Sequence, residues 1–462
     1  MTLSYDEAKQ KMAQHGQDHV LRFWDRLDEQ QRAGLLTQIA DLDLDALARM
    51  RALLAQNEAP VTADIRPADV VQLSGPARQE AREAGEAALR SGKVGCVLVA
   101  GGQGTRLGYD GPKGCFPVGP VSNASLFRIH ARKILALERK YGAPVPFYIM
   151  TSLENDGPTR AFFKEHGFFG LDPDRVRFFS QGLWSAMTDD GLLVLERPDR
   201  IFTSPDGHGG LLSALHMRGM LDDMARRGLE TLFYFQVDNP LVEIADPAFV
   251  GLHRARQAEM SVKVCAKSGP EEKVGVVVTR AGRDAVVEYS ELTREQMYAT
   301  GPGGELMFRY GSVAIHMFSL DFLIRAAGVP MPIHKARKKV PFCDEAGRTV
   351  KPETPNAVKF EKFIFDLLPE AKRTLNMEFA REDEFSPVKN ATGEDSAETA
   401  RRDMMRKAAR WLTLCGVTVP RSENGEPLHK LEIDPCYACC PEDLRAKLDS
   451  DFKIEGDIFL EA

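Results

Sequence analysis

Val94-Gly95-Cys96-Val97-Leu98-Val99-Ala100 runs directly into Gly101-Gly102-Gln103-Gly104-Thr105-Arg106-Leu107-Gly108, and Pro112-Lys113-Gly114 closes the stretch. The first seven residues are a short apolar run rich in valine, the pattern of a strand buried on both faces of an α/β sheet. Three glycines in four residues then leave the carboxyl end of that strand, where open α/β sheets bind ligands. Such a loop brings backbone N–H groups close to anionic oxygens. Arg106 adds a planar fork suited to phosphate, and Lys113 adds a compact second charge.

Outward from this stretch, helical and strand periods alternate. Ser125 to Lys140 reads as a helix, Pro146 to Thr151 and Val176 to Ser180 as strands. Gly210 to Arg227 reads as one helix, Leu232 to Val237 as a central strand, and Val274 to Thr279 with Ala285 to Tyr289 as a strand pair. Alternation of this kind predicts a mainly parallel sheet flanked by helices. On the N-terminal side, Val20, Phe23, Trp24 and Leu27 share a face at helical spacing, as do Leu35, Leu36 and Ile39. Pro60 and Pro67 interrupt the pattern before a helix from Ala77 to Leu89. The expected organisation is a helical N-terminal domain over residues 1–90, a catalytic α/β domain over 91–385 and a small α+β C-terminal domain over 386–462.

The 462 residues carry a net charge of −7, which argues against a nucleic-acid partner but not against a small anionic substrate held by a local cluster of cations. No apolar run reaches the length of a membrane span, and residues 1–18 lack the apolar core of a signal peptide. With eight scattered cysteines, the expectation is a cytoplasmic protein with reduced thiols. Cys436, Cys439 and Cys440 could form a zinc site only with help from Cys415 or His429. With no second close pair, a metal-free reading is preferred.

Spacing removes two common phosphate loops. The dinucleotide fingerprint needs a glycine at the sixth position, which from Gly102 and Gly104 is Leu107. The ATPase loop needs Gly-Lys-Ser/Thr, whereas Lys113 stands between Pro112 and Gly114. A further candidate is Asp238, just beyond the strand Leu232 to Val237. A carboxylate at that edge can hold Mg²⁺ against phosphate oxygens. The second glycine run, Gly207-His208-Gly209-Gly210, can pass close to a base or a sugar.

The stretch from Leu98 to Gly108, with Pro112-Lys113-Gly114, resembles the signature loop of eukaryotic-type UDP-sugar pyrophosphorylases, above all those acting on UDP-N-acetylglucosamine. The segments Ser204 to Gly210, Gln236 to Pro240, Val287 to Glu291, Lys359 to Asp366 and Arg381 to Asn390 extend the resemblance in order. It implies a Rossmann-like, GT-A-type fold. It implies a uridylyltransferase that joins UTP to a sugar 1-phosphate, N-acetylglucosamine 1-phosphate favoured, with UDP-sugar and pyrophosphate as products and Mg²⁺ as cofactor.

Carried over residue by residue, the resemblance puts Ala100, Gly101, Gly102, Gly104, Gln181, Pro205 and Gly207 along the nucleotide, with Gln181 at uracil. It puts His208, Asp238, Gly275, Glu288 and Ser312 near the sugar, with Asp238 also on the metal. Arg106, Lys113, Lys359 and Lys389 become the cations of the reaction. Two positions depart from the N-acetylglucosamine pattern, because His208 and Ser312 stand where asparagine is usual. Histidine in that loop also occurs in UDP-glucose and broad-range UDP-sugar enzymes, so glucose or galactose 1-phosphate is the competing acceptor. A non-catalytic UDP-sugar-binding protein would not need all of Arg106, Lys113, Asp238, Lys359 and Lys389. A nucleotide hydrolase would lack the loop found here.

Overall fold

The computed structural model describes residues 3–56 and 64–462, so the expected break at Pro60 lies outside the described residues. Two compact units are present. The first takes its described residues from Met1–Val61, Gly182–Leu211 and Pro330–Ile364, the second from Thr62–Gln181, Leu212–Val329 and Phe365–Ala462.

The second unit is built on a ten-stranded mixed sheet. Its strands are β1 (Ile65–Pro67), β2 (Val94–Val99), β3 (Phe147–Thr151), β4 (Val176–Ser180), β5 (Thr231–Gln236), β6 (Met260–Ala266), β7 (Val276–Arg280), β8 (Arg283–Val287), β9 (Tyr310–Ser319) and β10 (Thr374–Glu378). β5, β2, β3 and β4 lie side by side and parallel, in that order. β9 runs antiparallel to β5 and to β6, and β10 runs parallel to β6. The four parallel strands therefore end at one edge, and the segments that follow them start together.

Local sequence explains the flanking helices. Ser125 caps the helix Leu126–Tyr141 by accepting from the Arg128 N–H, and Gly142 ends it in a left-handed conformation at φ +66°. Ten of the sixteen residues of this helix are buried, including Phe127, Ile134 and Leu137. The span Gly210 to Arg227 is two helices, Gly210–Met217 and Met220–Arg226, because Gly219 takes φ +69° between them. Toward the C-terminus, the helix Ala397–Leu414 packs with the parallel strands Leu431–Ile433 and Ile458–Leu460 around Leu412, Leu431 and Leu444.

In the first unit, the helices Tyr5–Gln14, Glu29–Ala40 and Leu44–Leu54 start at Ser4, Asp28 and Asp43, each side chain accepting a backbone N–H of the first turn. Val20, Phe23 and Leu27 are buried as their spacing implies, but Val20 lies in a short 3₁₀ turn, Asp18–Leu21, and Phe23 and Leu27 flank another, Trp24–Arg26, rather than sharing an α-helix. They pack with Met187, Leu195, Ile201, Val358 and Phe360. Among the described residues, no helix is long and apolar enough to cross a membrane. Cys439, Cys440 and Asp443 gather closely enough to hold an ion, but the Lys140 ammonium sits among them, 3.2 Å from Cys440 Sγ and 2.9 Å from Asp443.

Candidate active site

In the second unit, the loop after β2 is a compact double turn. Gly104 N–H donates to the Gly111 carbonyl at 2.8 Å, and Lys113 N–H donates to the Gly102 carbonyl at 3.0 Å. Short 3₁₀ turns at Thr105–Leu107 and Lys113–Cys115 set Arg106 and Lys113 on its surface. Arg106 is exposed and Lys113 half-buried, and neither pairs with a carboxylate among the described residues. Two unneutralised cations on a glycine loop at a sheet edge are suited to bind a polyanion.

The loop is anchored by a residue that the sequence reading missed. Asn155, fully buried in the first turn of the helix Leu153–Glu165, donates its amide to both the Gly101 and Gly102 carbonyls at 2.9 Å. Its sequence position, third in a helix capped by Ser152, gives no sign of this, and only its reach across the fold shows its role. Gln181, buried just past β4, lies beside Gly101, where a Cβ would come within 3.0 Å of Gln181 Oε1.

Asp238 follows β5 at the same edge and is 8% exposed. Its backbone carbonyl accepts the Val388 N–H at 2.8 Å, while no donor among the described residues binds its carboxylate. Lys389 is the next residue after Val388, and its ammonium lies 3.9 Å from Asp395. Burial raises the Asp395 carboxyl above the ordinary range. Lys389 and Arg381 oppose that shift, and the negative charge of Asp238 adds to it. A carboxylate without a protein donor offers an oxygen ligand suited to a hard divalent cation.

Gly275, Glu288 and Ser312 come together where β7, β8 and β9 meet. Ser312 N–H donates to the Gly275 carbonyl at 2.8 Å, and a Cβ at Gly275 would lie 3.1 Å from Glu288 Oε1. Glu291 accepts the Glu288 N–H at 2.9 Å and fixes that turn.

The first unit carries Pro205, Gly207, His208 and Lys359. Gly207 has φ +85°, and a Cβ there would meet the Lys362 carbonyl at 2.4 Å. His208 Nδ1 accepts the Ile364 N–H at 3.1 Å, and its ring stacks on Phe363 at 5.3 Å. Burial, with the charge of His334, pushes the imidazole down to about 4, so it is neutral, with its proton on Nε2. Lys359, on the strand Ala357–Glu361, lies 4.8 Å over the Phe202 ring, and burial lowers its ammonium below the usual lysine range. Asp206, between Pro205 and Gly207, is 3% exposed. Burial raises its carboxyl to about 7, against the pull of Lys362.

Glycine-loop cations and a bare carboxylate at the carboxyl edge of parallel strands are suited to handle the phosphates of a nucleotide. The chain belongs to the UDP-sugar pyrophosphorylase family and is a nucleotidyltransferase. Residues 52–400 match the family model described as UTP–glucose-1-phosphate uridylyltransferase. The human UDP-N-acetylhexosamine pyrophosphorylase-like protein 1 is 38% identical over 96% of this chain and 95% of its own length. UDP-N-acetylglucosamine diphosphorylase 2 of Arabidopsis thaliana is 38% identical over 95% of this chain and 90% of its own. The solved structure of the Trypanosoma brucei uridine diphosphate N-acetylglucosamine pyrophosphorylase superposes with a TM-score of 0.82 at 28% identity, covering 99% of this chain and 98% of that one.

Proposed function

We propose that the acceptor is N-acetylglucosamine 1-phosphate, so that the chain makes UDP-N-acetylglucosamine and pyrophosphate from it and UTP. The observation that carries this reading is similarity along most of the chain to proteins named for that sugar, the Arabidopsis thaliana diphosphorylase among them. A phosphate oxygen of the sugar 1-phosphate attacks the α-phosphorus of UTP. The new oxygen–phosphorus bond forms as the bond to the β-phosphate bridge breaks, and pyrophosphate leaves. No protein nucleophile is needed, because the attacking oxygen is already ionised at neutral pH. The chain must instead align two anions and stabilise charge that spreads over the phosphoryl oxygens.

In this reading Arg106 and Lys113 bind the triphosphate and the departing pyrophosphate. The backbone from Ala100 to Gly104 lies along the nucleotide with Pro205 and Gly207, and Gln181 faces uracil. Lys359 and Lys389 neutralise the sugar phosphate. Gly275, Glu288, Ser312 and His208 border the sugar, where a glutamate can accept from two hydroxyls. Asp238 would hold Mg²⁺, which supplies positive charge to the triphosphate oxygens when bound. A cytoplasmic location belongs to the same proposal and is supported by eight free thiols.

The test is pyrophosphate release with UTP and a panel of sugar 1-phosphates, with and without Mg²⁺. The expected result is the highest kcat/KM with N-acetylglucosamine 1-phosphate. Faster turnover of glucose or galactose 1-phosphate would overturn the assigned sugar. UDP-sugar binding without pyrophosphate release would overturn the transfer chemistry.

A further inference from the structure

Behind Asp238 lies a buried ion cluster that the chemistry above does not use. Lys263, on β6, is fully buried. Its ammonium is 2.8 Å from Asp246, and 2.6 Å and 2.8 Å from the two carboxylate oxygens of Glu384. Glu243 adds a third carboxylate to the group. Burying a lysine costs several kcal/mol unless it is well paired, and an apolar replacement often serves stability as well. What such a cluster does fix is geometry, because its members sit on separate segments of chain.

Those segments are the ones that carry Asp238 and Lys389. The Asn239 amide donates to the Glu384 backbone carbonyl at 2.6 Å. Asn239 Oδ1 accepts the Ser386 N–H at 3.2 Å and the Leu241 N–H at 3.3 Å. Glu384 Oε2, besides meeting Lys263, accepts the Glu243 N–H at 3.4 Å. Val388 N–H closes the seam on the Asp238 carbonyl at 2.8 Å. Asn239 is 5% exposed and Glu384 3%, so these bonds compete little with water.

We propose that Asn239 is a positioning residue for uridylyl transfer: backed by the Lys263–Glu384 pair, its side-chain amide sets the spacing between the Asp238 carboxylate and the Lys389 ammonium. The inference rests on the roles given to Asp238 and Lys389 above. Asn239 and Lys263 are both buried and act through the residues they hold. Their effect is to hold a metal-binding carboxylate and a phosphate-binding cation, which approach from different segments, in one arrangement. The glycine loop is anchored separately by Asn155, so nucleotide binding without metal is not expected to depend on this seam.

The experiment uses the full chain with Asn239→Ala and Asn239→Asp. The second keeps the acceptor oxygen and removes the donor to Glu384. Four quantities are measured: the thermal midpoint, the UTP dissociation constant without divalent metal, kcat, and the Mg²⁺ concentration giving half-maximal turnover. The expected result is UTP binding within about twofold of the parent, kcat lower by roughly tenfold or more, and a half-maximal Mg²⁺ concentration raised about fivefold or more. Glu384→Gln, which keeps the backbone carbonyl and removes the charge facing Lys263, is expected to show the same signature in weaker form. Unchanged kcat and Mg²⁺ response in the Asn239 variants would overturn the proposal. So would losses in kcat, UTP affinity and thermal midpoint that run in proportion, since that marks a purely structural role. Asp238→Asn tests the underlying reading separately. A wild-type Mg²⁺ response there would remove the metal role of Asp238, whereas an inactive Asp238→Asn beside unaffected Asn239 variants would keep that role and overturn only the positioning.

Discussion

Asn155 Nδ2 donates to the Gly101 carbonyl oxygen at 2.9 Å and shares the same amide with the neighbouring Gly102 carbonyl. With both carbonyls held by one side chain, the Gly101 and Gly102 N–H groups make no backbone hydrogen bond among the described residues and can serve a ligand. Asn155→Ala should therefore lower kcat/KM for UTP by about 10- to 100-fold, the effect of about 1–3 kcal/mol from two lost bonds at a buried site. KM for the sugar 1-phosphate should move much less. Steady-state kinetics with each substrate varied in turn decides the matter, and unaltered UTP kinetics would mean that the loop keeps its shape unaided.

Two glycines of this loop separate folding from binding. At Gly114 an added Cβ would lie 2.2 Å from the Phe127 ring, whereas at Gly102 it would meet nothing within 4 Å. Gly114→Ala should cost about 1–3 kcal/mol by overpacking and lower the thermal midpoint by several degrees. Gly102→Ala should melt like the parent, yet raise KM for UTP because its methyl occupies the surface where the nucleotide is proposed to lie. Melting curves and UTP kinetics on the two variants give a crossed pattern, and a Gly102→Ala enzyme with normal UTP kinetics would move the nucleotide elsewhere.

Arg106 and Lys113 bring charge that no carboxylate of the described residues neutralises. Arg106→Ala and Lys113→Ala should each lose roughly a few kcal/mol of transition-state stabilisation, seen in kcat/KM for both substrates, with little change in melting temperature. Near-normal turnover in either variant would remove that residue from the chemistry.

How much of this could be read in the sequence depends on how local the signal is. β2, the glycine loop and the strand ending before Asp238 were legible because short apolar runs bounded by glycine are local patterns. The break at Gly219 was not, since the residues on either side keep helical spacing and only the backbone sign at one glycine differs. The 3₁₀ turns around Val20 and Trp24 were missed for a related reason: burial periodicity does not distinguish them from an α-helix. Asn155, Asn239 and Lys263 were invisible as site residues because their partners lie 53, 145 and 121 positions away. The association of 182–211 and 330–364 with the N-terminal helices is equally non-local.

Asp206 gives a pH signature. Its carboxyl is raised by burial to about 7 in the folded chain, against 3.8 for the free group. Between those values the unfolded chain releases this proton and the folded chain keeps it, so the contribution of Asp206 to stability falls as pH rises from about 4 to about 7 and is constant above. Asp206→Asn cannot ionise and should be more stable than the parent at pH 8, by on the order of a few kcal/mol at most, with the advantage vanishing toward pH 4. Urea unfolding of both proteins across this range tests it. A stability difference independent of pH would show that the carboxyl is ionised in the folded state.

The last prediction concerns the sugar. The two departures from the N-acetylglucosamine pattern, His208 and Ser312, sit in different settings. His208 is held as a neutral imidazole by the Ile364 N–H and by stacking on Phe363, so its Nδ1 is already committed to the backbone of its own unit. An asparagine Oδ1 can accept the same N–H, so histidine here is compatible with a structural duty that asparagine could also perform. Ser312 has its backbone N–H on Gly275, beside Glu288, and an asparagine in its place would bring an amide donor to that junction. If these positions border the sugar, His208→Asn should change kcat/KM for N-acetylglucosamine 1-phosphate by no more than about threefold. Ser312→Asn should raise its preference over glucose 1-phosphate by roughly tenfold, the value of one new hydrogen bond to an acyl group. Competition assays with both sugar phosphates present measure that ratio directly. An unchanged ratio in Ser312→Asn would move acetamido recognition away from the junction of β7, β8 and β9.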